Sequence, residues 1–139
     1  MVTHQIKIIA NIHSDRAYSI VSNVTNWSNW VPVLASPPAL LNGIAGVGAE
    51  YSFPSKSRSA QDETLLKIIE LKPNREMKWQ YSGGMTGWGC MKLAPKDQAT
   101  EISMEEEVFT PAIPAQIFAS LLEQGASNLK LFLDNTKNP

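Results

Sequence analysis

The chain has 139 residues, of which 43% are hydrophobic and 18% charged, with a formal net charge of −1. This length and composition are typical of one globular domain, and we expect residues 1–139 to form a single domain. The near-neutral charge and the lack of a basic cluster argue against a nucleic acid partner, because phosphate binding needs several grouped Lys or Arg.

The first quarter of the chain predicts a strand followed by two helices. Residues 4–12 alternate between apolar and polar side chains, which is typical of a half-buried strand. Ser14 stands where a helix N-cap belongs, and apolar residues at helical spacing continue to about Val24. A second short helix containing Trp27 is expected to end near Asn29 or Trp30, since Pro32 follows.

The middle of the chain predicts six further strands separated by turns rich in Gly, Pro and Asn. These strands are residues 39–44, 49–53, 63–71, 76–82, 86–94 and 101–109. Residues 54–62 are rich in Ser, Lys and Arg and indicate an exposed connection. Consecutive strands joined by short turns form a mostly antiparallel sheet with one apolar and one polar face.

Residues 114–135 predict one long helix with a single apolar stripe. The helix starts either at Pro111 or nearer Pro114, because a proline is tolerated only in the first turn. The stripe recurs at three-and-four spacing and consists of Phe118, Leu121, Leu122, Gly125, Leu129, Phe132 and Leu133. At about 1.5 Å per residue the helix is roughly 30 Å long, the width of a small domain. The predicted fold is therefore α+β, with a curved antiparallel sheet of about seven strands wrapped around the C-terminal helix and two short helices after the first strand.

Gly125 is unexpected within this stripe, since Gly costs about 1 kcal/mol relative to Ala inside a helix. Its missing side chain would leave room for a ligand, or for Trp79 or Met104 to pack.

Several motifs occur along the chain in an order that is typical of one superfamily. They are the helix opening at residues 14–18, the Trp27-x-x-Trp30-x-Pro32 stretch, Val47-Gly48 before the third strand, the proline–arginine turn within residues 71–79, and the long C-terminal helix. Together they resemble the START-like, or helix-grip (SRPBCC), superfamily, which includes birch-pollen-allergen-like and polyketide cyclase/dehydratase-like proteins. Asn23 departs from the pattern, because the family often has an acidic residue there.

The resemblance implies a cavity between the curved sheet and the long helix. In the family such a cavity usually holds a lipid, a polyketide, a hormone or another apolar molecule. Most members bind or carry their ligand, whereas some catalyse cyclisation or dehydration, and the fold alone does not choose between these functions.

Glu106 is the residue most suited to acid–base chemistry. The alternation within residues 101–109 places it on the same face as Ile102 and Met104. If this face lines the cavity, Glu106 is a carboxyl group in apolar surroundings, and its raised pKa suits a general acid or base, or the anchoring of a ligand. A bulge or the strand end would instead place it at a solvated rim.

Aromatic and methionine side chains on the apolar strand faces form a second group of candidates. Tyr81 could orient a ligand or act beside Glu106 in catalysis, and Trp79 could form a pocket wall, although both also suit an ordinary core. The family places the region of Trp27 and Trp30 at a pocket entrance, and a hydrophobic plug is the alternative. The predicted ligand-binding set is Trp27, Trp30, Met77, Trp79, Tyr81, Met91, Met104, Glu106, Leu121, Leu122, Gly125 and Leu129.

Signals for other chemistries are weak. The glycine-rich residues 83–89 lack the Lys-Ser/Thr and the spacing of a phosphate-binding loop, and they indicate a hairpin over the cavity mouth. His4 and His13 lie at opposite ends of one strand and cannot share a metal ion, and Cys90 has no neighbouring base pattern. We expect no cofactor and no metal ion.

The resemblance and the residues together support three functions, in the following order. The first is the binding or transport of a small hydrophobic molecule, such as a lipid, a polyketide or an aromatic-like compound. The second is a polyketide cyclase/dehydratase-like enzyme with Glu106 as acid or base and Tyr81 as hydrogen-bond donor. The third is a protein-interaction module without a ligand, using Trp88 or Leu131. We expect a cytoplasmic monomer or weak homodimer without membrane insertion, because no segment resembles a signal peptide or a membrane span.

Overall fold

The computed structural model describes residues 2–34, 36–42, 44–54, 63–110 and 114–136. Its elements are β1 (Val2–Ala10), α1 (Ser14–Val21), a 3-10 helix (Val24–Asn29), β2 (Ala39–Asn42), β3 (Glu50–Phe53), β4 (Thr64–Lys72), β5 (Glu76–Gly83), β6 (Thr86–Lys96), β7 (Ala99–Phe109) and α2 (Ala115–Asp134). This order confirms the predicted α+β fold. The connection predicted to be exposed at residues 54–62 lies, apart from its first residue, outside the described residues.

The strands form one antiparallel sheet in the order β1-β7-β6-β5-β4-β3-β2. Two of its hairpins turn at residues with positive φ, Asn74 between β4 and β5 and Asp97 between β6 and β7. Asn and Asp adopt this conformation more readily than most other residues with a side chain. The pairing of β4 with β5 is irregular between Ile68 and Glu70, which increases the local twist. The sheet curves so that its concave face covers one side of α2.

The start of α1 differs from the prediction. Ser14 is the first residue of the helix, and the N-cap is His13, which makes no side-chain capping bond. The predicted capping role of Ser14 is therefore wrong. Its hydroxyl instead hydrogen-bonds the hydroxyl of Thr100 on β7 at 3.0 Å, and Thr100 donates to the Ile12 carbonyl oxygen at 2.7 Å. The Ser14 hydroxyl, which the local sequence predicts to cap the helix, is therefore bonded to Thr100 on the sheet instead.

The second short helix is a 3-10 helix capped by Asn23. The side-chain oxygen of Asn23 accepts from the Thr25 backbone N–H at 3.3 Å and from the Thr25 hydroxyl at 2.7 Å. The Asn26 side chain donates to the Ile20 carbonyl oxygen at 3.0 Å and so joins the two short helices. A neutral amide oxygen thus satisfies the helix end at the position where the resemblance implies an acidic residue.

The helix α2 begins after Pro114 and is tied to β1 at its other end. Lys130 Nζ donates to the Ile9 carbonyl oxygen at 2.8 Å and to the Asp134 carboxylate at 2.8 Å. The same carboxylate accepts from the Asn11 backbone N–H at 2.8 Å. Burial acts to raise the pKa of Asp134, but these hydrogen bonds outweigh it and the pKa is lowered. No helix in the described part of the chain is long and apolar enough to cross a membrane.

Candidate functional site

A cavity lies between α2 and the concave face of the central strands. It is lined by Trp27, Trp30, Val31, Pro32, Val33, Phe53, Trp79, Tyr81, Met85, Met91, Met104, Glu106, Phe118, Leu121, Leu122, Gly125 and Ala126. The volume open to the centre of a water molecule is about 40 Å³. A single water needs roughly 10–15 Å³ on this measure, and pockets for drug-sized ligands are commonly about 300–1,000 Å³. A cavity of about 150 Å³ is known to hold benzene, so even a ligand of one ring requires side chains or part of α2 to move.

Glu106 faces this cavity from β7. The strand pairs in continuous register through Glu106, which lies opposite His4 on β1 and opposite Gly89 on β6. The regular alternation turns the side chain inward, and the residue is only 7% exposed. This geometry excludes the alternative of a bulge or a solvated rim. Burial raises the pKa of the Glu106 carboxyl to about 7, although the hydroxyl of Tyr81 and the indole N–H of Trp79 act in the opposite direction.

Tyr81 on β5 is the hydrogen-bond partner of Glu106. Its hydroxyl donates to Glu106 Oε2 at 3.0 Å, and both side chains are buried. Burial and the neighbouring carboxyl raise the pKa of Tyr81 well above its ordinary value, so the phenol stays protonated. Phe53 packs edge-on against Tyr81 with ring centroids 5.5 Å apart. The cavity wall is therefore apolar except for this pair, whose carboxyl group has a pKa of about 7.

The indole ring of Trp79 lies across the neighbouring strand β6. Gly89 is its register partner there, and a Cβ atom at Gly89 would overlap Cε2, Cζ2 and Nε1 of the ring. Glycine is therefore required for the ring to extend toward Glu106, which is the partner of Gly89 on β7. Trp27 packs edge-on against Trp79 with ring centroids 5.0 Å apart, and its own indole N–H donates to the Val21 carbonyl oxygen at 2.9 Å.

Solved structures with this architecture match along nearly the whole chain. Protein CV1439 from Chromobacterium violaceum has a TM-score of 0.73 at 18% identity, and the match covers 96% of this chain and 98% of that one. The Aha1 dimer from Colwellia psychrerythraea gives 0.70 at 17% identity, with 99% and 100% covered. DynU16, from the dynemicin biosynthetic locus, gives 0.66 at 12% identity, with 97% of this chain and 48% of DynU16 covered. The chain has the helix-grip fold.

The identities are low, so these likenesses show the helix-grip fold and do not assign a function. The sequence matches no family profile and no curated protein. The cavity does lie where the resemblance implies one, between the curved sheet and the C-terminal helix.

All the predicted ligand-binding residues line this cavity except Met77 and Leu129. Both are completely buried but belong to the packed core beside the cavity. Met77 is near the start of β5, where the hydroxyl of Tyr18 on α1 reaches the backbone. Leu129 lies where α2 is bonded to β1 through the adjacent Lys130. Alternation and helical spacing identify a face, but they do not show where along that face the packing opens.

Sequence reasoning missed several residues of the cavity wall. They are Val31, Pro32, Val33, Phe53, Met85, Phe118 and Ala126. Two had a usable signal, since Phe53 alternates with Tyr51 on β3 and Phe118 belongs to the apolar stripe of α2. Met85 comes from the glycine-rich hairpin between β5 and β6, in the region predicted to cover the cavity mouth. In the segment after the 3-10 helix, Val31 continues the helical spacing of Trp27 and Trp30, whereas the next two residues follow no periodic pattern that would have identified them.

Gly125 lines the cavity, and its missing side chain also allows a close approach by the segment after the 3-10 helix. A Cβ atom at Gly125 would lie 3.4 Å from Pro32 Cδ and 3.5 Å from the Trp30 carbonyl oxygen. No atom of Trp79 or Met104 comes within 4 Å of that position, so the expectation that either fills this space is wrong.

The other candidate residues lie outside the cavity. Trp88 on β6 is 40% exposed, and Leu131 on α2 is 62% exposed. The thiol of Cys90 donates to Glu76 at 3.5 Å, and burial together with this carboxylate raises the pKa of Cys90 to about 11. The thiol is therefore protonated and unreactive at neutral pH. Among the described residues, no group of three or more His, Cys, Asp and Glu side chains is placed to hold a metal ion.

Proposed function

We propose that this protein binds a small hydrophobic molecule in the cavity between α2 and the sheet. The buried Glu106–Tyr81 pair in an otherwise apolar wall is the observation that carries this proposal. Desolvating a carboxyl group costs stability, so its position in an apolar wall favours a role in orienting a ligand. Aromatic side chains such as Trp27, Trp30 and Phe118 supply the apolar contact.

Adaptable side chains reconcile ligand binding with the small volume of the cavity. Met85, Met91 and Met104 line it, and methionine is unbranched and changes conformation readily. Rotation of these side chains, with a small displacement of the first half of α2, would admit a molecule of one or two rings. A bulkier ligand would require a larger rearrangement.

The methionine methyl groups provide a direct test with ethylbenzene as an apolar probe. In protein labelled with carbon-13 at these methyls, ethylbenzene is expected to shift the NMR resonances of Met85, Met91 and Met104. Met77 is the internal control, because it is buried but does not line the cavity. Unchanged cavity methyls, or an equal shift at Met77, would contradict binding in this cavity.

A pair of adjacent substitutions on α2 tests the location. Ala126 lines the cavity, whereas Ser127 is exposed on the same helix. Ala126→Leu is expected to fill the space and abolish the ethylbenzene shifts, and Ser127→Leu is expected to leave them intact. Binding to Ala126→Leu at wild-type affinity would place the site elsewhere. Native mass spectrometry of protein purified from its own cells would then report the mass of the natural ligand.

The protonation behaviour of Glu106 favours a second candidate, an enzyme of the cyclase or dehydratase kind. A carboxyl group with a pKa of about 7 can both accept and return a proton near neutral pH. In a dehydration, the Glu106 carboxylate would take the proton from a carbon beside a carbonyl group. The resulting acid would then protonate the departing hydroxyl group, so that water leaves and Glu106 is regenerated. Tyr81 would hold the carboxyl in place, and the occurrence of the structural neighbour DynU16 in a biosynthetic locus is compatible with such chemistry.

A β-hydroxy ketone that dehydrates to a conjugated, ultraviolet-absorbing product tests this candidate. The wild-type protein is expected to accelerate the elimination, and Glu106→Gln is expected to lower the rate by roughly 10²- to 10⁴-fold. Glu106→Gln should still bind ethylbenzene, which separates loss of chemistry from loss of the cavity. If the wild-type protein gives no acceleration over buffer, the enzyme function is rejected and ligand binding remains.

A further inference from the structure

The indole N–H of Trp79 is a buried polar group whose hydrogen-bonding capacity is unused. Trp79 is 1% exposed and lines the cavity, and its Nε1 has no hydrogen-bond partner within the described ranges. Buried N–H groups are nearly always paired in folded proteins, because an unpaired one loses its hydration without compensation. Trp27 shows the usual arrangement, since its indole N–H is bonded to a backbone carbonyl.

The position of the ring directs this N–H toward Glu106. Trp79, Gly89 and Glu106 occupy successive register positions on β5, β6 and β7, and the ring lies over the glycine with Nε1 beside it. The N–H is near enough to lower the pKa of both the Glu106 carboxyl and the Tyr81 hydroxyl, but among the described residues it meets hydrogen-bond geometry with neither. An oxygen atom in the cavity could bond to both groups.

Building on the binding function proposed above, we propose that the ligand is an apolar ring compound carrying one oxygen function, which accepts a hydrogen bond from Trp79 Nε1 and forms a second with the Glu106 carboxyl. A carbonyl oxygen and a hydroxyl group both satisfy this arrangement, because a carbonyl accepts twice and a hydroxyl accepts and donates. A pure hydrocarbon would leave the N–H unpaired and would bind less well.

The protonation state of Glu106 decides which oxygen function binds better. When Glu106 is protonated, it donates together with Trp79, and a carbonyl oxygen matches two donors. When Glu106 is ionised, it only accepts, and a hydroxyl group matches one donor and one acceptor. The titratable groups that face Glu106 are Tyr81, which donates to Oε2, and His4, which lies opposite on β1. The Nε2 atom of His4 is buried and has no hydrogen-bond partner among the described residues. No other titratable side chain lines the cavity in the described part of the chain.

Three probes with the same number of heavy atoms separate the oxygen function from the apolar body: ethylbenzene, benzyl alcohol and benzaldehyde. Each is titrated into protein labelled with nitrogen-15 at tryptophan, and the indole resonance of Trp79 is assigned with Trp79→Phe. The alcohol and the aldehyde are expected to move this resonance downfield, because a hydrogen-bonded N–H is deshielded, whereas ethylbenzene gives no downfield shift. The already bonded N–H of Trp27 and the exposed indole of Trp88 are internal controls.

Affinity ratios provide the second measurement. In Trp79→Phe the affinity of benzyl alcohol relative to ethylbenzene is expected to fall roughly three- to tenfold, the size of one net hydrogen bond. The ratio cancels the change in cavity shape that the substitution also causes. If Trp79→Phe does not fold, the downfield shift of the Trp79 indole resonance in the wild-type protein is the test of the hydrogen bond. That resonance is then assigned by its through-space contacts to Gly89.

The pH dependence tests the role of Glu106. Benzaldehyde is expected to bind about tenfold more weakly at about pH 8.5 than at about pH 5.5, because an ionised carboxylate no longer donates to its oxygen. Glu106→Gln should remove this dependence, and His4→Gln should preserve it. If His4→Gln instead abolished the pH dependence of benzaldehyde binding, that dependence would come from His4, and the proposed role of Glu106 would be rejected.

The two proposals fail in different ways. If the three probes bind equally well and the Trp79 resonance never moves downfield, the oxygen-bonding site is rejected while apolar binding in the cavity stands. If none of the three binds, and the cavity methionine methyls do not respond either, both are rejected.

Discussion

The Glu106 carboxyl links the stability of the folded protein to pH. Burial raises its pKa from an ordinary value of 4.5 to about 7. Between these values the folded protein keeps a proton that the unfolded chain releases. Stability from this group is therefore fully present below about pH 4.5 and is lost as the pH rises to about 7. The difference corresponds to about 3 kcal/mol in the free energy of unfolding.

The substitution Glu106→Gln is expected to remove this dependence. The wild-type protein should lose about 3 kcal/mol relative to Glu106→Gln between about pH 4.5 and about pH 8. Urea unfolding of both proteins across this range measures the difference, and other titrating groups cancel. Parallel stability curves would mean that Glu106 is solvated and unshifted. Tyr81→Phe is a useful second variant, because the Tyr81 hydroxyl lowers the pKa of Glu106 and its removal should move the transition to higher pH.

The inward direction of Glu106 and Tyr81 could be predicted from sequence, but their hydrogen bond could not. Each side chain follows from the period of two within its own strand. The bond also depends on the register across three strands, in which Tyr81 pairs with Gly87 on β6 and Glu106 pairs with Gly89. That register depends on turn geometry and on the indole of Trp79 lying over Gly89, which no local pattern indicates.

The helix α2 packs differently along its length, within one continuous apolar stripe. Its first half, together with Gly125 and Ala126 just past the midpoint, lines the cavity, whereas Leu129 and Leu133 further along are completely buried in packed core. The stripe was predictable from spacing. The start of the helix was not, because the prolines at positions 111 and 114 left two possible starts, and the structure has the one after Pro114. The change along the helix from cavity wall to packed core was not predictable, because it depends on how closely β1 and the central strands approach the helix.

The glycine in the middle of α2 provides a prediction at this scale. Gly125→Ala is expected to be neutral or to stabilise by up to about 1 kcal/mol, because Ala favours helix and the new Cβ would meet Pro32 at ordinary contact distance. Gly125→Leu is expected to destabilise by about 1–3 kcal/mol, since the larger side chain must displace the segment after the 3-10 helix or occupy the cavity. Urea midpoints measure both effects.

Gly89→Ala is the matched contrast, because the same substitution there forces a Cβ into the Trp79 ring. It should destabilise where Gly125→Ala does not, by about 1–3 kcal/mol. Equal tolerance at the two glycines would contradict the position of the indole over Gly89. Stabilisation by Gly125→Leu would instead show that the space beside the helix is large enough to accept a side chain.

At the scale of the whole molecule, the order of elements was predictable and the cavity volume was not. Strand alternation, turn residues and the helical stripe each have a local cause, and together they specify the α+β arrangement. The cavity is the space left after many side chains have packed, so a few rotamers decide whether it is about 40 Å³ or several times larger. The same dependence on side-chain packing explains why Met77 and Leu129 belong to the core and do not line the cavity.

This uneven packing predicts uneven stability along α2. Side chains beside a cavity lack contacts on one side, so the first half of the helix should open locally at lower free energy than the second. The second half is also bonded to β1 through Lys130 and Asp134. Hydrogen exchange followed by mass spectrometry is therefore expected to show faster exchange in peptides around Phe118–Leu122 than around Leu129–Leu133. Ethylbenzene should slow exchange around Phe118–Leu122 and leave exchange around Leu129–Leu133 unchanged. Uniform protection along the helix, or slowing confined to the second half, would mean that the cavity is not where the helix yields to a ligand.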